Sequence, residues 1–494
     1  MIPYPPAGDK MIKPGTKKKP DKLPEVYINL QKQFDKAFCA QFERMANNFS
    51  KSIEKTEQKL VKCERKMMDF IHQTRGIAHA DLTLAESLVN KELRFKIIMA
   101  QWTNKFLVHS DSRQLDALTW ALARYSMNIC LCWNEVSPKH FIEAGVHKAL
   151  AGFIKFKSEL VVGPAMMALV HISMHPELKP NIVLAEVLPT IVKLLVTNDS
   201  KPILCQACKL LASLALHFPN KSLISNSGNL HGLLDLILGN DKEIDDAVSY
   251  AALMGVVNAI QGSDANRMLI VDLDGLKPLL STLQHTCNND LILQALRALT
   301  NITFCNVFTA SVYLSQGGDR VVIDLLQSGN ILKDPVIVHA ALASVANVCY
   351  NEATQSHIGS SLGWVELAIR ICDHAREPYV AGEAAMLLLA MMWKNMGNKA
   401  RVNGTGGCQT LLKRIIRHCP LHDDDNLKCI EQVCYALTSL LLIVPAQERF
   451  LVHGGLEEMI RICRQYSDQR LIAAVSAVIV CLVPSPDELL VSNP

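Results

Sequence analysis

Apolar residues recur at spacings of three and four along the N-terminal part of the chain. The positions are Leu30, Phe34, Phe38, Phe42, Met45, Phe49 and Ile53. That spacing places them on one face of an amphipathic helix. No proline interrupts residues 26–108, so we predict two or three long helices in residues 25–92. One of them either stands partly free or pairs in a short coiled coil, although the spacing is not a strict heptad.

From about residue 93, one local pattern returns eight times. Each copy has a short turn with a small residue or Gly, a helix with paired Leu or Ile, a polar break and an Ala-rich helix. The turns end at Gly145, Glu186, Gly228, Gly275, Gly318, Gly363, Gly407 and Gly455. Their mean separation is about 44 residues, inside the range of about 40–47 that is typical of stacked helical repeats. The pattern therefore predicts a solenoid, in which each unit packs on its neighbours.

The residues within each unit suit tight helix packing. Glycine supplies the positive φ that a tight helix connection requires, and alanine lets helices approach closely. Several Ala-rich helices end in Leu-x-Asn or Val-x-Asn, as at Asn301 and Asn347. Over about residues 93–484 these features resemble the armadillo-repeat family. The resemblance implies an all-α fold, a right-handed armadillo-repeat superhelix (α-solenoid) of about eight to nine units, here with an N-terminal long-helix extension.

The two ends of the chain have a different composition. Residues 1–24 combine proline with lysine and contain little that is apolar, so we predict a disordered basic tail. Residues 485–494 are predicted to form a flexible tail. Lys17, Lys18 and Lys19 either contact an anionic surface or belong to a solvated end, and the sequence leaves both readings open.

Composition narrows the class of protein. Hydrophobic residues make up 49% of the chain, aromatic residues 6%, and the net charge is +3, so the overall field is not that of a polyanion binder. The N-terminus lacks the apolar core of a secretory signal, and the longest apolar run is shorter than the roughly twenty residues of a membrane span. We expect a cytoplasmic protein with reduced thiols, and a cytoskeletal or ciliary position and nuclear access both remain open.

The armadillo resemblance implies a binding site. In that family the third helix of each unit lines a concave groove, and an Asn near its end holds the backbone of an extended peptide. Aligned third helices place Asn258, Asn301 and Asn347 at this position. The other units have Arg124, His171, Ser213, Met391 and Ser439 there, and Trp120 lies four residues before Arg124. The alternative is that each Asn only caps its own helix or turn.

These observations favour a non-enzymatic scaffold or adaptor whose groove binds a protein partner. A nuclear-import adaptor is the second hypothesis. The resemblance would then imply a Trp four residues before each Asn, but Met254, Arg297 and Ala343 occupy those positions. A regulator of a small GTPase or of a chaperone is a third hypothesis that the sequence neither supports nor excludes.

The sequence contains only weak evidence for catalytic or metal-binding groups. The densest set is His418, Cys419, His422, Asp423, Asp424, Asp425, Cys429 and Cys434. Its spacing does not supply two paired zinc ligands. Cys205 and Cys208 have redox spacing without a βαβ context, and Gly404–Gly407 lacks the strand and the lysine of a phosphate-binding loop. We expect no enzyme activity, no cofactor, no metal, no small-molecule substrate and no nucleic-acid partner.

Overall fold

The computed structural model describes residues 136–239, 244–328, 333–349, 352–361, 363–418 and 423–482, with eight further positions between 122 and 134. Within these ranges the chain forms helices joined by short turns, and no strand is present. The prediction of an all-α solenoid is confirmed. The predictions for residues 1–24, including Lys17, Lys18 and Lys19, for residues 25–92 and for residues 485–494 fall outside the described residues.

Each unit of the solenoid contains a short first helix, a second helix and a long third helix. In chain order the helices are α1 (Pro138–Glu143), α2 (Val146–Phe153), α3 (Glu159–Ile172), α4 (Leu178–Leu184), α5 (Val187–Thr197), α6 (Lys201–Leu214), α7 (Phe218–Asn226), α8 (Asn229–Leu238), α9 (Asp246–Ile260), α10 (Asp264–Asp272), α11 (Leu276–His285), α12 (Asn289–Thr303), α13 (Val307–Ser315), α14 (Gly318–Gln327), α15 (Pro335–Val348), α16 (Glu352–Ser360), α17 (Trp364–His374), α18 (Pro378–Met392), α19 (Met396–Gly404), α20 (Gly407–His418), α21 (Asp424–Leu440), α22 (Val444–Val452), α23 (Gly455–Gln465) and α24 (Gln469–Val480). We number the units 1 to 8, so that unit 1 is α1 to α3 and unit 8 is α22 to α24.

The predicted turns lie between the first and second helix of every unit. In six units a glycine with positive φ precedes the second helix: Gly145, Gly228, Gly317, Gly363, Gly406 and Gly454. Units 2 and 4 have Glu186 and Asp274 in the same left-handed conformation, with φ values of 59° and 56°. All eight units thus share the same turn geometry. In units 2 and 4 the left-handed position is occupied by a residue other than glycine, for which this conformation is strained.

Replacing Glu186 with Gly is expected to raise the free energy of unfolding by about 0.5–1 kcal/mol. The left-handed conformation costs a non-glycine residue roughly 1–2 kcal/mol, and the extra chain entropy of glycine offsets part of that gain. Urea unfolding of both proteins measures the difference. Glu186→Ala keeps the strained conformation and is the control. A gain for Ala equal to that for Gly would contradict the explanation.

A second glycine in the turn has a different physical role. In units 5 and 8 the second helix begins with Gly318 or Gly455. A Cβ on Gly318 would lie 2.3 Å from the ring of Tyr313, and a Cβ on Gly455 would lie 2.6 Å from the ring of Phe450. Both rings are fully buried. The second glycine therefore leaves the room that the aromatic side chain of the first helix fills.

Buried asparagines in the first helices tie neighbouring units together. The Asn266 amide donates to the carbonyl oxygen of Ala259, at the end of the preceding third helix, at 2.8 Å. It also donates to the carbonyl oxygen of Lys221, in the preceding first helix, at 3.3 Å. Asn220 and Asn398 make the equivalent pairs of bonds. These bonds satisfy carbonyls that a helix end would otherwise leave unpaired.

In units 2 to 4, a buried cation of the first helix donates to the C-terminal end of the third helix of its own unit. The pairs are Lys179 with the Ser213 carbonyl, Lys221 with the Asn258 carbonyl, and Arg267 with the Phe304 carbonyl. A positive charge there interacts favourably with the helix dipole. Burial nevertheless lowers the pKa of Lys221 to about 8, because the charged form loses its hydration.

The third helices pack side by side through the whole array, from α3 to α24. Buried apolar residues of all eight units form a single connected core, as expected when every added unit extends the same interior. Among the described helices, none alone has both the length and the apolar composition of a membrane span. The pair α4 and α5 reaches that length only when joined across a bend of 72°.

Candidate functional site

One narrow face of each third helix lies outside the hydrophobic core. On α12, the partly exposed residues Leu293, Arg297 and Asn301 alternate with buried ones, and Phe304 follows on the same face just past the helix end. This spacing of three and four is that of a single helix face. Because the third helices pack side by side in the same orientation, their faces join into one surface, which we call the third-helix face.

The structure places five of the eight predicted site residues on the third-helix face. They are His171, Ser213, Asn258, Asn301 and Asn347, and all are partly exposed. Ser439 is 7% exposed, so the prediction that it lines the site is not supported by its burial. Trp120 and Arg124 fall outside the described residues.

The sequence alignment was also wrong by one residue in unit 6. Met391 is fully buried, and the partly exposed residue at the equivalent position is Ala390. The error arises because the chain is one residue shorter between the last Asn and this helix than the alignment allowed. The row of asparagines therefore ends at Asn347, and in the following units small residues occupy the equivalent position.

Two of the three asparagines tie neighbouring units. The Asn258 amide donates to the carbonyl oxygen of Ala212 in the preceding third helix at 2.9 Å. The Asn347 amide donates in the same way to the carbonyl oxygen of Thr300 at 3.1 Å. Neither side chain caps its own helix. Asn301 is partly exposed, and within the described residues its amide makes no hydrogen bond.

Unit 2 replaces the asparagine with a serine that is already engaged. The Ser213 hydroxyl accepts from the Ser173 hydroxyl at 2.8 Å and donates to the Ser173 carbonyl oxygen at 3.1 Å. The Lys179 ammonium donates to the same Ser213 hydroxyl at 3.2 Å. These bonds join units 1 and 2, so the contribution of Ser213 is chiefly structural.

A row of large apolar residues borders the asparagine row. It lies three residues after the asparagine position in five units and consists of Met174, Leu216, Phe304, Trp393 and Leu442. Leu216 and Leu442 are each 61% exposed. Sequence reasoning missed this row, which we call the apolar row. The sequence did contain a signal for it, because a residue three positions after the asparagine position lies on the same side of the helix.

Two histidines of the third-helix face each have a lysine nearby. His171 stacks on Trp133 with 5.7 Å between the ring centroids, and burial together with the nearby Lys209 ammonium lowers the pKa of His171. Burial and the Lys428 ammonium likewise lower the pKa of His339. In both cases burial disfavours the charged imidazolium, and the nearby ammonium disfavours it further.

A polar cluster lies where units 5 and 6 meet on this face. His339 Nε2 is 3.5 Å from Glu383 Oε2, and the Tyr379 ring packs edge-on against the His339 ring with centroids 5.6 Å apart. The Glu383 side chain is only 4% exposed. A carboxylate with so little solvent requires partners, and the histidine of the neighbouring unit is one of them.

The candidate thiols Cys205, Cys208, Cys429 and Cys434 are buried, whereas Cys419 and His422 lie outside the described residues. Burial raises the pKa of the Cys429 thiol to about 11 and raises the pKa of both Cys205 and Cys208. Thiols that remain protonated are poor nucleophiles and poor metal ligands. Within the described ranges, no three His, Cys, Asp or Glu side chains are grouped as metal ligands. The Gly404–Gly407 segment is the turn between α19 and α20.

Solved structures with the same architecture identify the fold. An engineered protein aligns at a TM-score of 0.64 and 21% identity, over 81% of this chain and 98% of that protein. A β-catenin structure, from work on a phosphorylation switch that controls its interaction with cadherin, aligns at 0.55 and 17% identity, over 78% of this chain and 69% of the matched chain.

A designed armadillo repeat protein in complex with the peptide (KR)4 also aligns, over 52% of this chain and 99% of that protein, with a TM-score of 0.44 and 22% identity. No protein-family model and no curated protein matches the sequence. At these identities the structural likeness establishes the fold and nothing finer. It is an all-α solenoid of the armadillo type.

Proposed function

We propose that this armadillo-type solenoid is a non-enzymatic scaffold or adaptor that binds an extended segment of a partner protein in a groove along the third-helix face. The observation that carries the proposal is Asn301, whose half-buried amide makes no hydrogen bond within the described residues and lies beside the apolar row. One asparagine offers both a donor and an acceptor to a peptide group. The apolar row supplies contact area next to it.

The spacing of the third helices suits a bound segment in an extended conformation. Packed helices are about 8–10 Å apart, and an extended chain advances about 3.3 Å per residue, so roughly three residues pass each unit. Alternate side chains of such a segment point in opposite directions. Those on one side would reach the apolar row at Phe304 and Trp393, while the backbone lies over Asn301.

The charge of the face disfavours the nuclear-import alternative. Lys209 and Arg297 occupy the helix position at which import adaptors would have tryptophan, and Lys428 lies exposed on α21. A Lys- or Arg-rich peptide would meet like charges in units 2 and 4. We therefore propose a partner segment that is not basic, in a cytoplasmic setting that includes cytoskeletal or ciliary assemblies.

Removing the groove contacts is expected to release the partner while the array stays folded. The test variant combines Asn301→Ala, Trp393→Ala and Tyr435→Ala, since Tyr435 is 50% exposed on the same face. Each lost contact is worth about 1 kcal/mol, so together they should weaken binding by two orders of magnitude or more. Affinity purification of tagged wild type and variant, read by quantitative mass spectrometry, gives the comparison.

The matched control changes the second helices instead. Lys413→Ala and Ile416→Ala remove an exposed cation and an exposed apolar side chain from α20, and circular dichroism checks that all proteins are equally helical. Loss of one defined partner set only in the groove variant supports the proposal. If the partners persist in the groove variant and disappear in the control, binding occurs on the second helices and the proposal is wrong.

A further inference from the structure

The second helix of unit 8 has an apolar stripe that is open to solvent. Leu456, Ile460 and Cys463 are spaced by four and three residues along α23, so they share one face of the helix. Ile460 is 37% exposed, and Leu456 and Cys463 are partly exposed. We call these three residues the end stripe, because unit 8 is the last unit that the structure describes.

Unit 7 buries the residues that are equivalent to the end stripe. When the turn glycines Gly406 and Gly454 are aligned, Cys408, Leu412 and Ile415 of α20 correspond to the three residues of the end stripe. Their exposures are only 1%, 4% and 0%. The same helix face is therefore covered in unit 7 and open in unit 8.

The first helix of the next unit covers this face in unit 7. Helix α22 packs on α20, and the thiol of Cys408 donates to the carbonyl oxygen of Ala446 in α22 at 3.7 Å. At the other end of the array, α4 packs on α2 in the same way. By this geometry, a first helix placed directly after α24 would cover the end stripe.

The sequence that follows the last described residue resembles such a first helix. Residues 444–452, which form α22, read Val-Pro-Ala-Gln-Glu-Arg-Phe-Leu-Val, and residues 483–491 read Val-Pro-Ser-Pro-Asp-Glu-Leu-Leu-Val. Four of these nine positions are identical. Ser485 and Glu488 have the spacing of a capping box, with Pro486 at the first helical position between them. The pattern therefore favours a helix that begins at Pro486.

The match predicts opposite environments for two residues of this segment. Leu489 corresponds to Phe450, which is fully buried and lies four residues after Ala446, on the same side of α22. Val491 corresponds to Val452, which is 82% exposed. We therefore expect Leu489 to reach the end stripe and Val491 to face solvent.

The charges of the segment suit the same region of α23. Arg464 is exposed and lines a cavity of about 510 Å³ beside the end stripe. Within the described part of the chain, Arg464 has no carboxylate partner, whereas Arg461 pairs with Glu458. Asp487 and Glu488 directly precede Leu489 in the sequence. Opposite charges at the rim of an apolar contact favour one orientation of docking.

We propose that residues 483–491 dock on α23 of the same chain as a short first helix, and that Leu489 covers the end stripe. Composition by itself predicts a flexible tail for residues 485–494. The end stripe changes that balance, because burial of apolar surface on both sides offsets the entropy lost when a short segment is ordered. The docked segment then closes an apolar end that would otherwise attract another apolar surface. This docking does not involve the third-helix face.

The reactivity of Cys463 reports whether the end stripe is covered. The full-length protein is treated with iodoacetamide without denaturant, and mass spectrometry measures the labelling rate of each cysteine, with the exposed Cys287 as internal reference. We expect Leu489→Ser to speed the labelling of Cys463 roughly fivefold or more, because an uncovered thiol reacts faster. Val491→Ser is the matched control and should leave the rate unchanged.

Equal effects of the two variants, or no effect of either, would overturn the proposal. So would labelling of Cys463 in the wild type as fast as that of Cys287. Sedimentation velocity shows which chain supplies the segment. We expect Leu489→Ser to sediment no more slowly than the wild type, whereas dissociation of a wild-type dimer by this change would place the segment on a second copy. No partner is present in these experiments, so they succeed or fail independently of groove binding.

Discussion

Replacing Asn266 with Ala is expected to lower the free energy of unfolding by about 2–4 kcal/mol. Its side chain is 2% exposed, donates to the carbonyl oxygens of Ala259 and Lys221, and accepts from the Ser225 hydroxyl at 2.6 Å. Alanine removes the donor to the Ala259 carbonyl, while the Lys221 carbonyl and the Ser225 hydroxyl keep the hydrogen bond that they make with each other at 2.9 Å. A buried polar group that loses a partner costs about 1–3 kcal/mol, and the effects on the three groups add only in part.

Asn301→Ala is the matched control, because it removes an asparagine of the same array without breaking a hydrogen bond. We expect a change of no more than about 0.5 kcal/mol. Urea unfolding gives the total effect. Hydrogen exchange should show lost protection in α7 and α10, since neighbouring repeats carry much of the stability. Equal effects of the two variants would refute the assignment of Asn266 as structural and Asn301 as free for a ligand.

Replacing Gly318 with Ala is expected to lower the free energy of unfolding by about 2–3 kcal/mol, because the added methyl group overpacks the core. The added Cβ would lie 2.3 Å from one ring atom of Tyr313 and within 2.6 Å of two others. The ring is fully buried, so it cannot swing into solvent, and either the ring or the start of α14 must shift. Thermal unfolding of the purified variant measures the loss.

Two further variants decide whether the ring is the cause. Gly404→Ala adds the same methyl group at the end of α19, where no atom lies within 4 Å, and should leave stability unchanged or raise it by up to about 1 kcal/mol. In the double variant Tyr313→Leu with Gly318→Ala, the overlap is relieved, so its loss should be smaller than the sum of the two single losses. Strict additivity would show that the clash is not with Tyr313.

Much of the fold was predictable because the information is local and repeated. Each unit contains its own turn and its own apolar stripe, and stacking eight copies multiplies a weak signal. The predicted turns all lie between first and second helices, and the alanines of α12, such as Ala295 and Ala298, are fully buried. The sequence pattern also located the third-helix face, since helix periodicity decides which residues share a face.

The site itself was only partly predictable. Asn258, Asn266, Asn301 and Asn347 are chemically identical in the sequence, yet Asn266 holds units together and Asn301 makes no hydrogen bond within the described residues. Whether an amide finds a partner depends on a carbonyl that lies about 40 residues away along the chain, and only the stacking of the units brings it near.

The sequence by itself therefore determined the class of fold and the number of repeating turns, because these follow from local periodicity and turn chemistry. Only the tertiary structure decided which polar residues are structural and where the apolar row lies. Those features depend on contacts between units, where a difference of an ångström separates a hydrogen bond such as that of Asn347 from an amide without one, such as that of Asn301 within the described residues.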